Sequence, residues 1–206
     1  MAVPTAPGFE AAHSEADPLL GRTINDRYTI VEQIGHGGMG RVYKALQAPL
    51  DRVVALKVLG AGHDRDPNFY KRFFLEASVT AKLTHPNTIT LYDYGRTQDG
   101  VFYIAMEYLA GRTLSQAMAQ DGPLSQERVI HIAQQICRSL REAHALRIIH
   151  RDLKPANVIL LQQHDDHDFV KVLDFGLVKF ADPTSLQQSM MTAEHTTTGT
   201  PALPAR

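Results

Sequence analysis

The string Gly35-His36-Gly37-Gly38-Met39-Gly40-Arg41-Val42 carries glycines at G-x-G-x-x-G spacing. Residues without a Cβ accept positive φ and let backbone N–H groups approach phosphate oxygens closely, so the string is a candidate anion cradle. The same spacing marks dinucleotide folds, but there a helix starts inside the glycines, whereas here the residues that follow predict a strand. Lys57 sits in Val54-Ala55-Leu56-Lys57, among apolar residues. A lone strand lysine most often faces water. One turned into a cleft needs an anionic partner, or desolvation strips its proton. Glu76, beside Phe73, Phe74 and Ala77 in a segment of helical pattern, is the candidate partner. Two further strings concentrate polar chemistry: His150-Arg151-Asp152-Leu153-Lys154-Pro155-Ala156-Asn157 and Asp174-Phe175-Gly176.

These residues need elements to hold them. Tyr28 to Ile34, Arg41 to Leu46 and Arg52 to Leu59 are strand-forming runs, and three in succession predict an antiparallel meander. Asp66-Pro67 is a helix start, Asp as N-cap and Pro at the first helical position, and that helix is expected to stop before His85-Pro86. Thr88 to Tyr94 and Val101 to Glu107 complete five strands around one helix. Ser125 then caps a long segment whose apolar residues, Val129, Ile132, Ala133, Ile136, Leu140, Ala143 and Leu146, recur at offsets of three and four and predict one amphipathic helix. Cys137 flanks that stripe and is expected as a small core residue. Two short strands follow near Val158 to Leu161 and Val170 to Leu173. Residues 1–27, with scattered Pro and Gly and no sustained period, are expected to form a flexible leader, although Pro18-Leu19-Leu20 could dock on a neighbouring surface.

Composition narrows the classes. The chain has 206 residues, 44% hydrophobic and 21% charged, an ordinary globular balance. Twenty-one Lys+Arg against 22 Asp+Glu give net charge −1, so no global field attracts nucleic acid or anionic lipid. No apolar run reaches the length of a membrane span, and no basic-then-apolar signal-peptide layout opens the chain. A single cysteine makes no internal disulfide and favours a reducing, cytoplasmic compartment.

Taken together, the glycine string, Val-Ala-x-Lys, a helical Glu, H-R-D-x-K-x-x-N and D-F-G, in that order, closely resemble the protein-kinase signature set, and most of all its bacterial eukaryotic-like Ser/Thr branch. The resemblance covers Tyr28 to about Pro201. It implies an α+β, two-lobe fold: residues 28–206 as one domain, with 28–108 a small lobe of five antiparallel strands and one helix, and 109–206 a partial helical large lobe with the activation segment. It implies transfer of the ATP γ-phosphate to protein Ser/Thr hydroxyls. Asp152 would orient or accept the substrate proton, and Lys154 would neutralise the moving phosphoryl group. Lys57, held by Glu76, would grip the α- and β-phosphates. Asn157 and Asp174 would offer oxygens to Mg²⁺. Ile34, Gly35, His36, Gly37, Gly38, Met39, Gly40 and Val42 would close over the nucleotide. Ala55 and Val42 would form the adenine roof, Ile159 its floor and Met106 its back wall, with the backbone of Glu107 and Leu109 pairing with the base. Thr80, Leu91, His150 and Phe175 would stack as a column through both lobes, looser at the small, polar Thr80. Arg151 before Asp152 implies control by phosphorylation, with Thr196, Thr197 and Thr198 as candidate autophosphorylation positions.

Other features carry less. His164-Asp165-Asp166-His167-Asp168 has metal-ligand residue types but lies between two strands without fixed spacing, which predicts a solvated acidic hairpin loop. No nucleophile-elbow pattern surrounds any serine, Ser139 included. Gly199-Thr200-Pro201 resembles the segment that leads into A-P-E, which does not follow. The expectation is an incomplete large lobe in which the long helix exposes part of its apolar surface. That leaves two readings, a catalytic Ser/Thr kinase and a catalytically incompetent nucleotide-binding remnant or scaffold.

Overall fold

The chain lays down β1 (Thr23–Ile24), β2 (Tyr28–Gly37), β3 (Gly40–Gln47) and β4 (Arg52–Leu59), then α1 (Phe69–Thr80), β5 (Leu91–Arg96) and β6 (Phe102–Glu107). The computed structural model describes residues 17–37, 40–59 and 69–175. These six strands form one antiparallel sheet of order β1-β2-β3-β4-β6-β5. Period-two alternation sends successive side chains to opposite faces. One face buries Tyr28, Ile30, Tyr43, Ala45, Val54 and Leu56. The other buries Ala55, Ile104 and Met106, together with Phe73 of α1, Ile89 and Phe102. The expected five strands are present, and β1 adds a sixth. The packed body therefore reaches further toward the N-terminus than Tyr28: Leu19 packs against the first of these cores.

Past Glu107 come β7 (Arg112–Thr113), α2 (Leu114–Asp121), α3 (Gln126–Ala145), a single 3₁₀ turn (Pro155–Asn157), β8 (Val158–Gln163) and β9 (Asp166–Val172). The last strands form a β7-β8-β9 sheet. Thr113 starts α2 through a capping box: its side chain accepts from the Gln116 N–H while the Gln116 side chain takes the Thr113 N–H. Ser125 caps α3 as expected, accepting from the Arg128 N–H. The helix buries Ile132, Gln135, Ser139 and Ala143. It leaves Val129 and Leu146 48% exposed, the partial exposure expected of its apolar surface. Val129, Ile132 and Ile136 line one side of an apolar groove of about 600 Å³, and Leu114 and Met118 of α2 line the other. Cys137 is exposed, because the stripe turns away from it.

In the acidic string the turn residues His164 and Asp165 are exposed as expected, but Asp166 and Asp168 belong to β9 and are not left to water. Asp168 receives two hydrogen bonds from Arg128, at 2.7 and 2.8 Å, and Asp166 lies 3.0 Å from His131 Nε2. Both partners stand on α3, so the hairpin is bolted to the long helix.

The two sheets and α3 meet along Asn87–Thr90. Val172 donates its N–H to the Asn87 carbonyl (2.8 Å) and Ile89 donates to that of Val172 (3.0 Å). A parallel bridge between Thr88 and Val172 follows. The buried Gln135 amide completes the junction. Its oxygen accepts from Asn87 Nδ2 and from the Val170 N–H, each at 2.9 Å, and its Nε2 donates to the Asp168 carbonyl at 2.9 Å. Gln135→Leu takes this partner from the Val170 N–H and the Asp168 carbonyl of β9 and from the Asn87 amide, and is expected to lower stability by about 2–3 kcal/mol. Chemical denaturation reads this as a lower midpoint at unchanged slope; an unshifted midpoint would show that the junction contributes nothing net.

Candidate active site

Glycine begins the return strand of the glycine hairpin for a steric reason. A Cβ at Gly40 would collide with the Val58 carbonyl on β4. β3 then pairs with β4 without a register shift from Gly40–Leu59 to Gln47–Arg52, while β2 carries two irregularities, between Ile30 and Glu32 and between Gln33 and Gly35. Gly37 pairs with Gly40, so only Gly38 and Met39 join the strands, and both lie outside the described residues. Ile34 and His36 are exposed, and Gly35 is half-buried.

Under this hairpin, Lys57 sits opposite Val42 on one side and Ile104 on the other. Its ammonium lies 2.8 Å from Asp174 Oδ1, with the side chains 12% and 24% exposed. Glu76 lies in α1, its side chain outside the described set, so the expected Lys57–Glu76 pairing falls outside it too. Val42, Ala55, Met106 and Leu109 share one apolar cluster, which Leu173 joins next to Asp174. Ile159, half-buried on β8, pairs with Thr113. At the exit from β6, Gly111 packs so tightly on β8 that a Cβ would overlap the Leu160 carbonyl.

The second half of the site is a loop that hydrogen-bonds to itself. Asp152 Oδ2 lies 2.8 Å from Lys154 Nζ. Asn157, on the 3₁₀ turn, donates through Nδ2 to the Asp152 carboxylate (3.0 Å) and carbonyl (2.9 Å). The Asn157 carbonyl accepts from the Leu173 N–H at 2.9 Å, which brings this loop beside Asp174. Arg151 and Asp174 adopt left-handed backbone, φ 63° and 54°. Such φ values are uncommon outside glycine and are sustained by surrounding contacts. His150 is buried, its Nε2–H donating to the Leu173 carbonyl (2.7 Å) and its ring 4.7 Å from Phe175. Thr80 donates its hydroxyl to the Phe175 carbonyl at 3.1 Å. The small polar residue expected to loosen this column is instead hydrogen-bonded into it. Gly176, Thr196, Thr197 and Thr198 lie outside the described residues.

Two residues that support this site from its surroundings escaped the sequence reading. Lys171 on β9 reaches Glu107 at the end of β6, Nζ to Oε1 2.6 Å, and donates to the Thr88 carbonyl at 3.3 Å. The same Glu107 oxygen accepts from the Thr90 N–H at 2.7 Å. This largely buried pair ties the segment after β6 to the strand that leads to Asp174. The only signal in sequence was a lysine at an inward position of an apolar strand. Asp17, in the supposed leader, is the other.

A scan against protein families matches residues 28–199 to the protein kinase domain. The chain belongs to the protein kinase family. Among curated relatives it is 44% identical over 170 residues to the serine/threonine-protein kinase pkn3 of Myxococcus xanthus, covering 82% of this chain and 31% of that protein. It is 39% identical to PrkC of Bacillus subtilis (82% and 25%) and 41% identical to PknB of Mycobacterium leprae (81% and 27%). The chain thus spans about a third or less of these relatives. The kinase domain of Mycobacterium tuberculosis PknI superposes with a TM-score of 0.68 at 35% identity, over 77% of this chain and 62% of that one. The likeness is to bacterial Ser/Thr kinases, and the two-lobe kinase fold stands.

Two outcomes follow from the geometry. Lys171→Met leaves the half-buried Glu107 carboxylate without its cation, expected to cost about 2–3 kcal/mol, whereas Lys171→Met with Glu107→Leu recovers much of that loss; thermal denaturation of the single and double variants checks it. The Lys154 ammonium beside Asp152 holds its carboxyl below the usual value, against a smaller effect of burial, and Asn157 adds to the lowering. A depressed folded value stabilises the fold above the unfolded value near 3.8, and that contribution fades as pH falls through the folded value. Asp152 is therefore ionised throughout neutral pH. In Lys154→Met its carboxyl titration, followed by NMR, is expected to move upward; an unmoved titration would remove Lys154 as the cause.

Proposed function

We propose that the chain transfers the γ-phosphate of ATP to serine or threonine hydroxyls of protein substrates, in the cytoplasm. The observation that carries this reading is the convergence of two charged constellations: Lys57 with Asp174 below the glycine hairpin, and Asp152, Lys154 and Asn157 on the adjoining loop. The family generally uses ATP and Mg²⁺, and the donor set fits a hard cation. The carboxylate of Asp174 and the amide oxygen of Asn157 would serve as its oxygen ligands, a reading supported by the backbone bond from the Leu173 N–H to the Asn157 carbonyl. When bound, the cation would neutralise charge on the nucleotide phosphates.

The chain's own residues do the rest. The backbone around Gly35–Gly40 and the Lys57 ammonium bind phosphate oxygens. Val42, Ala55, Met106 and Leu109 exclude water from the base, with the backbone of Glu107 and Leu109 pairing to it and Ile159 beneath it. Asp152, ionised at neutral pH, accepts the hydrogen of the incoming hydroxyl and aims its oxygen. Because Lys154 and Asn157 hold that carboxylate, it is a weak base, and its part is orientation more than early proton removal. Lys154 then faces the charge that builds on the transferred group. Autophosphorylation at Thr196, Thr197 or Thr198, with Arg151 near the resulting phosphate, belongs to the same reading.

Transfer of radiolabel from ATP to a generic protein substrate, with phosphoamino-acid analysis, tests it. Phosphoserine and phosphothreonine are expected, Asp152→Ala and Lys57→Ala each lowering the rate at least about a hundredfold. Nucleotide binding without transfer in the unaltered chain would instead favour the scaffold.

A further inference from the structure

β3 has two faces with different partners. Val42 points to the apolar cluster shared with Ala55 and Met106, the side of the nucleotide site. Tyr43 points the other way into the opposite core and is fully buried, and Arg41 shares its side by alternation. Both outward residues end on one group in the segment ahead of the sheet. The Tyr43 hydroxyl donates to Asp17 Oδ2 at 2.9 Å, and Arg41 Nη1 lies 3.0 Å from Asp17 Oδ1.

Asp17 is held firmly enough to act as an anchor. Its side chain is 12% exposed. Its Oδ1 accepts from the Leu19 N–H (3.1 Å), its carbonyl accepts from the Leu20 N–H (3.1 Å), and Leu19 packs into the outer core. Downstream, the Gly21 N–H and the Arg22 carbonyl both bond to Ile30 of β2, at 3.0 and 2.9 Å. Burial pushes the Asp17 carboxyl up, but the Leu19 N–H, the Tyr43 hydroxyl and Arg41 outweigh it, so the group is charged at neutral pH.

We propose that Asp17 is a positioning residue for the phosphate loop: through Arg41 and Tyr43 it fixes β3, the return strand of the glycine hairpin, and so sets nucleotide affinity from outside the site. The mechanics follow from the pairing. β2 is irregular on its approach to the glycines, so the hairpin takes its stiffness from β3. β3 is fixed from below by Gly40 against Val58 and from outside by Asp17, immediately after the loop closes. Freeing Arg41 and Tyr43 lets the strand start rock, and the loop N–H groups lose their aim. The affinity part rests on the ATP reading above; the stiffening part does not.

The test uses the whole chain. Asp17→Ala removes both contacts, Asp17→Asn keeps a partner for Tyr43 while discharging the one for Arg41, and Tyr43→Phe removes only the hydroxyl. Hydrogen exchange without nucleotide, followed over Gly40–Ala45 and over α3, is read beside Mg·ATP titration by calorimetry. Asp17→Ala is expected to speed exchange in Gly40–Ala45 while α3 is unchanged, and to weaken Mg·ATP by about five- to tenfold, with the milder variants between. Faster exchange spread over the whole sheet, or local exchange equal to the unaltered chain, overturns the proposal. So does local loosening with undiminished affinity. Failure of the unaltered chain to bind Mg·ATP would sink the nucleotide reading and the affinity claim, and the exchange data would still decide the stiffening. If Asp17→Ala fails to fold, Asp17→Asn and Tyr43→Phe carry the same comparison.

Discussion

Lys171 and Glu107 form an ion pair, 11% and 17% exposed, where a small sheet, a connector and a second sheet converge. A buried charge is tolerable only if paired and hydrogen-bonded. That requirement fixes the geometry around it. Lys171 must reach the connector, so β9 must run beneath it. The Glu107 oxygen must also serve the Thr90 N–H, so the segment before β5 must lie alongside. The neighbouring apolar contacts would allow several lobe orientations; a charge pair of 2.6 Å allows few. The strand so placed continues into Leu173 and Asp174, and the connector it meets adjoins Leu109.

The second constraint is electrostatic balance inside the cleft. Asp174 and Lys57 satisfy one another, and Asp152 is satisfied by Lys154 and Asn157. Lys154 and Asn157 hold the Asp152 carboxyl below its usual value, so that group is charged at neutral pH. The site is held ready in its charged form, at the expense of left-handed backbone at Arg151 and Asp174. His150 shares in that support: it binds the Leu173 carbonyl and stacks on Phe175, so the residues on both sides of Asp174 are gripped by one ring.

Much of this was legible in the sequence, and what was not has a common cause. The glycine hairpin, the strands that carry Lys57 and Met106 and the Ser125 cap were written in local pattern. So was α2, through Thr113 and Gln116, although that signal was passed over. The unread residues act across distance. Asn87, Gln135 and Lys171 are ordinary polar residues in their own windows, and their worth comes from partners dozens of positions away. Asp17 looked like part of a proline-spotted leader because composition reports flexibility and not docking. Asp166 and Asp168 looked solvated because the arginine and histidine that claim them stand on α3, far away in sequence. Thr80 looked like a packing defect because a side chain's volume says nothing of the carbonyl above it.

The Asn87–Val170 hydrogen bond also has a consequence for synthesis. Its partners are separated by 83 positions, and Thr88 and Ser139 by 51. On the ribosome the segment through Thr90 emerges first, and at about 5–20 residues per second β9 follows several seconds later. Through that interval the amide of Asn87 and the carbonyl of Thr88 have water for a partner, and the six-stranded sheet has no second sheet to close on. The sheet can pair early by near-neighbour hairpins, while the junction locks only when β9 arrives. β9 is therefore the strand that commits the nascent chain to its two-lobed shape.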